Sequence, residues 1–371
     1  MVHEELTGRR VLVAGLGVSG RAAAALLAAR GAEVTTVDDD APEADVRLAG
    51  THGAELLARV DLVVASPGWA PHHPLLAAAG RAGVPVWSEV ELAWRTRARR
   101  ADGTYAPWLA VTGTNGKTTT VGMLEAILRA AGLRTRAAGN VGTPVTEVVQ
   151  DVSLDVLAVE LSSFQLHFTS SMAARAAAVL NVAPDHLDWH GSLEEYARAK
   201  GRVYAGVEVA CVYAVADECT RRLVEDADVA EGARAVGVTL GAPGPGELGI
   251  IDGLLVDRSF HAPLDSFSRH DTAAELGALD DLAHLAGPDG RLAPHVVTDA
   301  LTAAALARAH GVAARAVRDG LREYAPGAHR IEVVARVEDV VYVDDSKATN
   351  AHAAAASLDA FAPGTVVWVA G

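Results

Sequence analysis

Residues 113–118, which read GTNGKT, combine glycine, lysine and threonine in an order that suits phosphate chemistry. They follow the apolar run WLAVT and precede a long helical pattern. In such a loop, backbone N–H groups converge on phosphate oxygens at a helix N-terminus, the lysine reaches the terminal phosphates and a hydroxyl ligates Mg²⁺. The spacing departs from the general P-loop pattern, because Val111 occupies its first glycine position. The predicted nucleotide site comprises Gly113, Thr114, Asn115, Gly116, Lys117, Thr118 and Thr119.

Glu160 and His186 follow two later apolar runs of the same region. Sites in α/β folds form where parallel strands end, so a carboxylate at Glu160 is expected beside Thr118, where it can hold Mg²⁺. The alternative for Glu160 is a helix-capping or solvent-facing residue. His186, considered alone, is more typical of a surface or structural histidine.

Lys200 lies on a predicted helix that Ser192 and Glu195 introduce as a capping-box pair. A lysine on such a helix is, by itself, most simply a solvated surface residue.

Residues 15–20, GLGVSG, form a second glycine-rich loop after a strand and before a helix. Asp38 follows at the end of the second strand, at the spacing of a ribose-binding acid. Considered alone, this unit predicts an NAD-dependent oxidoreductase. A purely structural alternative is that the glycines only permit close packing of helix and strand. A second nucleotide loop downstream counts against the oxidoreductase.

Several further motifs occur in a fixed order along the chain. They are GNVG at 139–142, VELSSFQL at 159–166, NVAPDHLDWHGSLEEYARAK at 181–200, AHR at 328–330 and DDSKATN at 344–350. Together with GTNGKT, this series resembles the Mur ligase family over essentially the whole chain. The GTNGKT loop by itself also resembles that of the folylpolyglutamate synthetases.

The resemblance implies site roles that the residues alone do not give. His186 and a carbamylated Lys200 would ligate a second Mg²⁺, and Asn140 would orient the substrate together with His186. The implied contacts to ATP outside the loop are Asp299, Arg330, Lys347 and Thr349. The implied contacts to a UDP-linked substrate are Gly15, Gly17, Val18, Ser19, Asp38, Asp39 and Gly68.

The loop GLGVSG with Ser66-Pro67-Gly68 resembles the family branch that adds D-glutamate to UDP-N-acetylmuramoyl-L-alanine. The implied reaction is ATP-dependent, passes through an acyl phosphate and makes a peptidoglycan precursor. Three alternatives stay open at this point: another family member or a folylpolyglutamate-synthetase-like ligase, the oxidoreductase, and a nucleotide-binding fragment without activity.

Two positions depart from the family pattern. The run Asp38-Asp39-Asp40 puts three acids where a UDP group would bind, which is unfavourable unless Asp40 points away. The asparagine-rich H-N-x-x-N signature near the adenine is His295-Val296-Val297-Thr298-Asp299 here. An ionised Asp299 lacks the donor that an asparagine offers, so weaker adenine contacts are expected.

Valine- and leucine-rich strands alternate with alanine-rich helices, which predicts an α/β fold of mainly parallel sheets. The resemblance implies three domains: a Rossmann-like UDP-binding domain at 1–100, a P-loop ATPase domain at 101–326 and a Rossmann-like amino-acid-binding domain from 327. We expect the third domain to be incomplete at 371, ending in a strand at 365–371, and the chain to lack turnover for that reason. A hairpin turn is predicted at Asp252-Gly253, and an irregular surface excursion with a short helix at 265–294.

The chain has 371 residues, half of them hydrophobic, and a net charge of −15. This charge disfavours a nucleic-acid or membrane surface. Two cysteines, without metal-site spacing, and no visible signal peptide favour a reduced cytoplasmic protein. A monomer acting on small-molecule substrates is expected.

Overall fold

The structure, a computed structural model, describes residues 5–48, 53–327 and 329–370. Ala328 of the AHR motif lies outside the described residues. The described residues form three sheets, of four, nine and two strands. The strands are β1 (Arg10–Ala14), β2 (Glu33–Val37), β3 (Leu62–Ala65), β4 (Val86–Ser88), β5 (Trp108–Thr112), β6 (Thr135–Gly139), β7 (Val156–Glu160), β8 (Ala176–Val179), β9 (Ala210–Ala214), β10 (Arg234–Val238), β11 (Glu247–Ile251), β12 (Leu254–Asp257), β13 (Ala274–Ala278), β14 (Glu332–Val337) and β15 (Val340–Asp344).

Helices connect most of these strands, as the alternation in the sequence predicts. The α-helices are α1 (Val18–Ala29), α2 (Gly53–Leu57), α3 (Pro74–Ala82), α4 (Glu89–Arg95), α5 (Lys117–Ala130), α6 (Val145–Val148), α7 (Ser163–His167), α8 (Leu187–His190), α9 (Leu193–Gly201), α10 (Glu218–Glu225), α11 (Pro294–Ala309), α12 (Ala314–Glu323) and α13 (Ala351–Leu358). Short 3₁₀ turns occur at Arg202–Tyr204, Phe267–His270 and Leu279–Leu285.

The first sheet has the order β2-β1-β3-β4, and its strands are all parallel. Parallel strands align their carboxyl ends along one edge. The loop at 15–20 follows β1 at this edge, and Ser66 follows β3. Because Ala65 of β3 is in register with Ser88 of β4, Glu89 also comes directly after the same edge.

The central sheet has the order β13-β12-β11-β10-β9-β8-β5-β7-β6. In this order, neighbouring strands are parallel from β11 to β6. Strand β12 is antiparallel to both of its neighbours, β11 and β13. The phosphate loop follows β5, which lies between β7 and β8. The α/β fold with parallel-dominated sheets is thus confirmed.

Alternate residues of β5 enter the two cores of the central sheet. Leu109 and Val111 pack with α5, α11 and α12, whereas Trp108 and Ala110 pack on the opposite face. Helix α4 joins this second core through Val90, Ala93 and Trp94, while Leu92 enters the core of the first sheet. Helix α4 therefore packs against both sheets.

The excursion expected at 265–294 is partly wrong. Residues 274–278 form β13, an edge strand paired with β12, and Leu276 and Leu282 are fully buried. The segment AELGA has little intrinsic strand preference, so its pairing depends on the open edge of β12. The hairpin at Asp252-Gly253 is confirmed, with positive φ at both turn residues.

The described residues after 328 form an antiparallel hairpin, β14 and β15, followed by α13. The strand predicted at 365–371 is wrong for the described part, because residues 365–370 pair with no strand. Val367 and Val369 there are about nine-tenths exposed. The domain boundaries at 100 and 326 stay predictions. No described helix is long and apolar enough to cross a membrane.

Candidate functional site

Three strands of the central sheet deliver the candidate residues to one edge. Val111 of β5 is in register with Glu160 of β7, and Glu160 is in register with Gly139 of β6. The loop after β5, the carboxylate that ends β7 and Asn140 after β6 are therefore neighbours. This is the edge at which open parallel sheets bind ligands.

The phosphate loop is held in a shape that requires glycine. Gly116 has φ of +86°, and a Cβ atom there would lie 2.5 Å from Oδ1 of Asp299. The Lys117 ammonium donates to the carbonyl oxygens of Gly113 (2.9 Å) and Thr114 (2.8 Å). Burial lowers the pKa of Lys117, and Glu160 and Asp185 partly oppose that shift. Thr118 and Thr119 lie in the first turn of α5, where backbone N–H groups face the loop.

Lys200 is buried beside this loop, although its sequence position suggested a surface residue. It is 1% exposed, and its Nζ donates to the carbonyl of Gly113 at 2.8 Å. Its ammonium also lies 4.3 Å from the centre of the Tyr196 ring. Burial lowers the pKa of Lys200 well below its usual value, and the charge of Lys117 lowers it further. Ser192 caps the N-terminus of the helix that carries Lys200, and the Ser192 hydroxyl accepts from the Glu195 N–H.

Glu160 and Asn140 form a bonded pair at the ends of β7 and β6. The Asn140 amide donates to Oε1 of Glu160 at 2.9 Å, and its backbone N–H donates to the Glu160 carbonyl at 2.9 Å. Glu160 is 2% exposed, and its Oε2 is buried without a hydrogen-bond partner among the described residues. A buried carboxylate oxygen with free lone pairs can ligate a hard cation such as Mg²⁺.

His186 lies at the start of α8 in a left-handed conformation, with φ of +50°. Its ring is half exposed and lies 3.6 Å from the carboxylate of Asp185 and 4.8 Å from the Phe164 ring. No three His, Cys, Asp or Glu side chains in the described part of the chain cluster as a complete metal cage. A cation here would need water or phosphate oxygens to complete its ligands, as Mg²⁺ commonly does.

Asp299 lies in α11 against Gly116, 4% exposed, and its Oδ2 has no partner among the described residues. Burial raises the pKa of Asp299 to about 8, although the Thr120 hydroxyl and the charges of Arg330 and Lys117 oppose the shift. The carboxyl group is therefore largely protonated at neutral pH. A protonated carboxyl offers one donor and one acceptor, which the ionised form does not. In the same signature, His295 is partly buried and Val296 belongs to the core.

The segment after 328 reaches the phosphate loop through Asn350. Its amide donates to Oδ1 of Asn115 and to Oδ2 of Asp185, each at 3.2 Å. The Asn115 amide nitrogen also lies 3.2 Å from Nδ1 of His352. Arg330 is half-buried near Lys117 and Asp299. Lys347 and Thr349 are exposed.

The loop at 15–20 forms a separate group at the edge of the first sheet. The Ser66 hydroxyl donates to the Gly15 carbonyl at 2.8 Å, and a Cβ on Gly20 would lie 1.8 Å from that same oxygen. The Asp38 carboxylate accepts from the N–H groups of Leu16 (2.6 Å), Asp40 and Ala41. The hydrogen bond from Leu16 leads the interactions that lower the pKa of Asp38.

The other candidates around this loop are accessible to a ligand. Val18 is 71% exposed at the start of α1, Ser19 is half-buried, and Gly17, Asp39 and Gly68 are exposed. Asp40 is also exposed, and its N–H faces Asp38.

Sequence reasoning missed residues that shape the phosphate loop. Asn181, two residues after the end of β8, accepts from the Asn115 N–H at 2.9 Å and donates to the Asn115 carbonyl. Tyr196 and Thr114 join their hydroxyls at 3.1 Å. Asn181, like Glu160, lies where an apolar strand ends at this edge, and that signal is present in the sequence. Nothing local distinguishes Tyr196, which depends on the packing of α9.

Comparison with known proteins gives two family domains in order. A family model described as "Mur ligase MurD-like, N-terminal domain" matches residues 9–88, and one described as "Mur ligase middle domain" matches residues 111–241. Among solved structures, MurF from Acinetobacter baumannii has a TM-score of 0.51 at 17% identity, covering 96% of this chain and 70% of that one. This likeness supports the fold alone.

Curated relatives are far more similar in sequence. A protein of Streptomyces coelicolor named UDP-N-acetylmuramoylalanine–D-glutamate ligase is 54% identical over 99% of this chain and 77% of its own length. The protein of that name from Thermobifida fusca is 51% identical over 99% and 77%, and that from Mycolicibacterium smegmatis 48% over 98% and 70%. With two family domains in sequence and relatives this similar along nearly all of its length, the chain belongs to the Mur ligase family.

Proposed function

We propose that this chain catalyses the ATP-dependent ligation of D-glutamate to UDP-N-acetylmuramoyl-L-alanine, a step of peptidoglycan precursor synthesis. The observation that carries the proposal is the meeting of the phosphate loop, Glu160 and Lys200 at one sheet edge, in a chain 54% identical to a ligase of that name. The separate loop at the edge of the first sheet supplies a second nucleotide-type site, which a UDP-linked substrate needs and a simple ATPase does not.

The chemistry requires activation of a carboxylate. The alanine carboxylate of the UDP-linked substrate attacks the γ-phosphorus of ATP, the bond to ADP breaks, and an acyl phosphate forms. The D-glutamate amine then attacks the carbonyl, loses a proton and expels phosphate, leaving an amide. The protein contributes positioning and charge neutralisation to both steps.

The phosphate loop and its neighbours bind ATP in this proposal. Backbone N–H groups of residues 113–119 hold the phosphates, and Lys117 exchanges its two carbonyl partners for phosphate oxygens. Protonated Asp299 offers the base a donor and an acceptor. Arg330 adds positive charge, and Lys347 and Thr349 approach from the segment after 328.

The residues present fit two Mg²⁺ ions. Thr118 and the free oxygen of Glu160 would hold the first, and His186 with a carbamate on Lys200 the second. Bound Mg²⁺ would neutralise charge on the phosphates. Without its carbamate, Lys200 donates to the same Gly113 carbonyl as Lys117 does.

The environment of Lys200 favours carbamate formation. CO₂ reacts with a neutral amine, and burial together with the nearby Lys117 charge lowers the pKa of Lys200, which favours the neutral form. The product is an anion beside Lys117, so the two groups attract each other.

The UDP-linked substrate would lie between the two sheet edges. Gly15, Gly17, Val18, Ser19, Asp38, Asp39 and Gly68 surround the nucleotide end, with Asp38 acting mainly by fixing the loop backbone. Asn140 and His186 would orient the reacting end. We place the reaction in the cytoplasm, where ATP is available, and a monomer stays a prediction.

The direct experiment measures phosphate release with ATP, UDP-N-acetylmuramoyl-L-alanine and each candidate amino acid in turn. We expect release that depends on D-glutamate, and such release would contradict the expectation from the sequence that the chain lacks turnover. Lys117→Ala should lower the rate by about 10³-fold, because it removes charge from the transferring phosphoryl group. Arg129→Ala, an exposed change on the same helix, serves as the control. Release with another amino acid instead, or near-normal turnover of Lys117→Ala, would overturn the assignment.

A further inference from the structure

Three side chains at the start of α4 hold the segment that follows Glu160. The Ser88 hydroxyl contacts that of Thr169 at 2.8 Å, and the Ser88 N–H donates to the Phe168 carbonyl at 3.0 Å. Glu91 accepts from the N–H groups of Ser170 and Ser171 at 2.8 and 3.0 Å. Between these two contacts lies Glu89, which has a different partner.

Glu89 is bonded to Gln165 of α7 in the interior of the protein. Oε1 of Glu89 accepts from the Gln165 side-chain amide at 2.6 Å, and the two residues are 2% and 1% exposed. The other amide atom of Gln165, its Oε1, accepts from the Ser162 N–H at 2.7 Å. The Ser162 hydroxyl in turn accepts from the Gln165 N–H, which closes a capping box at the start of α7.

The position of α7 explains why this bond bears on chemistry. Its cap, Ser162, is two residues after Glu160, and no flexible linker separates them. Its Ser163 hydroxyl lies 2.9 Å from Nε2 of His190, and its Phe164 ring lies 4.8 Å from that of His186. Glu89 itself comes directly after β4, at the edge that carries Ser66 and the loop at 15–20.

We propose, on the basis of the function proposed above, that Glu89 is a positioning residue for the ligase reaction. Through Gln165 it fixes α7, and thereby keeps Glu160 and His186 aligned with the sheet edge that holds the UDP end of the substrate. The substrate spans both edges, so the reacting carboxylate meets the phosphoryl group only if the two edges keep their relative position.

The surroundings of Glu89 and Glu91 move the pKa values of the two carboxyl groups in opposite directions. Burial raises the pKa of Glu89, and the Gln165 hydrogen bond offsets only part of that shift. Burial acts in the same direction on Glu91, but hydrogen bonds from Ser171, Ser170 and Arg95 outweigh it and lower the pKa. Oε2 of Glu89 has no partner among the described residues, as suits a neutral acid more than an ion. A glutamine can therefore replace Glu89, because it keeps the acceptor and carries no charge.

The test compares Glu89→Leu and Glu89→Gln with the unaltered 371-residue chain in the phosphate-release assay. We expect Glu89→Leu to lower kcat by about 10- to 100-fold, as small misplacements of reacting groups do, with less than about threefold change in KM for ATP and for the UDP-linked substrate. Glu89→Gln should restore kcat to within about threefold. Val90→Ala is the matched control: it removes packing from the same helix and should lower the melting temperature without lowering kcat.

Wild-type kcat in Glu89→Leu would overturn the proposal, and so would an equal loss of kcat in Val90→Ala or a change confined to the KM of the UDP-linked substrate. Hydrogen exchange at the amides of 162–168 gives a readout without turnover. Glu89→Leu should speed exchange there at least about tenfold, and Glu89→Gln should not. Unchanged exchange in Glu89→Leu contradicts the inference about Glu89, whereas absence of D-glutamate-dependent release by the unaltered chain contradicts only the proposed function.

Discussion

Asp299, Lys200 and Glu89 are titratable residues that the fold encloses around the candidate site. Burial moves the pKa of each toward the neutral form: up for the two acids and down for the lysine. None of these states is visible in the sequence, since the exposure of a residue depends on tertiary packing. The sequence did predict that Asp299 would contact the nucleotide poorly as an anion. Its environment changes that expectation, because the protonated acid has the donor that the anion lacks.

Asp299 should make the nucleotide-free protein lose stability as the pH rises. Its folded-state pKa of about 8 exceeds the ordinary value of 3.8, so its contribution is complete below about pH 4 and is lost as the pH rises toward 8. Asp299→Asn cannot titrate. The variant should therefore gain stability relative to the unaltered protein between pH 5 and 8, by about 1 to 4 kcal/mol at 1.36 kcal/mol per unit. Urea unfolding at several pH values measures the difference. Asp319→Asn, on the exposed side of α12, is the control, and parallel stability curves for Asp299→Asn and the unaltered protein would contradict the argument.

Lys200 should be essential because of a carbamate rather than an ammonium. Lys200→Ala is expected to lose about 10²-fold or more in kcat, since a ligand for the second cation disappears. Short carboxylic acids should restore part of the rate by supplying the missing oxygens. Arg198→Ala, exposed on the same helix, should retain activity. Full activity of Lys200→Ala, or no response of the unaltered enzyme to bicarbonate depletion, would show that the buried amine has no such role.

At the scale of elements, the sequence predicted those helices, strands and turns that a local residue pattern determines. The strand–loop–helix units at β1 and β5 and the turn at Asp252-Gly253 follow from glycine geometry and apolar runs. The edge strand β13 could not be predicted, because its residues favour no strand until β12 offers an open edge. The strand expected at 365–371 was an error of the opposite kind, since valine content alone does not provide a pairing partner.

The features of the candidate site likewise divide into those that local sequence predicts and those that depend on tertiary packing. Residues on the loop at 113–119 and at the strand end Glu160 were predictable, because strand ends and glycine loops are local signals. The burial of Lys200, the Asp38–Leu16 hydrogen bond and the Glu89–Gln165 bond join segments 22 to 87 residues apart. Such pairings depend on how helices dock, which no single window of sequence contains.

The loop at 15–20 should distinguish UDP from a dinucleotide. A UDP-linked ligand at about 100 times its Kd should raise stability by roughly 2.7 kcal/mol, and NADH should not. Gly20→Ala should abolish the UDP effect, because its Cβ would collide with the Gly15 carbonyl, and should leave stabilisation by ATP intact. Thermal melting with each ligand measures this, and Gly80→Ala, a site with open space on α3, is the control. Protection by NADH without protection by the UDP ligand would favour an oxidoreductase site.

At the scale of the whole molecule, the two large sheets share buried contacts, whereas the segment 329–370 is attached more weakly. Helix α4 contributes residues to the cores of both large sheets. The segment 329–370 has no buried strand, and β14 is exposed along its whole length. Its described polar link to the phosphate loop is the cluster of Asn350 and His352 with Asn115 and Asp185.

Asn350 should therefore control how firmly this segment docks. Its side chain makes two kinds of contact. Oδ1 accepts from the Ala353 N–H and so caps α13, and Nδ2 donates to the side chains of Asn115 and Asp185. Asn350→Ala loses both, at about 1 kcal/mol for the cap and about 1 kcal/mol for the hydrogen bonds, so undocking should become about tenfold or more frequent. Asn350→Asp distinguishes the helix cap from the docking contacts. It keeps the capping oxygen, but it loses the donor and places a like charge opposite Asp185. Hydrogen exchange should then show α13 intact in Asn350→Asp while limited proteolysis between 329 and 350 quickens in both variants. If both variants are cleaved at the rate of the unaltered protein, apolar contacts hold the segment and the hydrogen bonds of Asn350 do not.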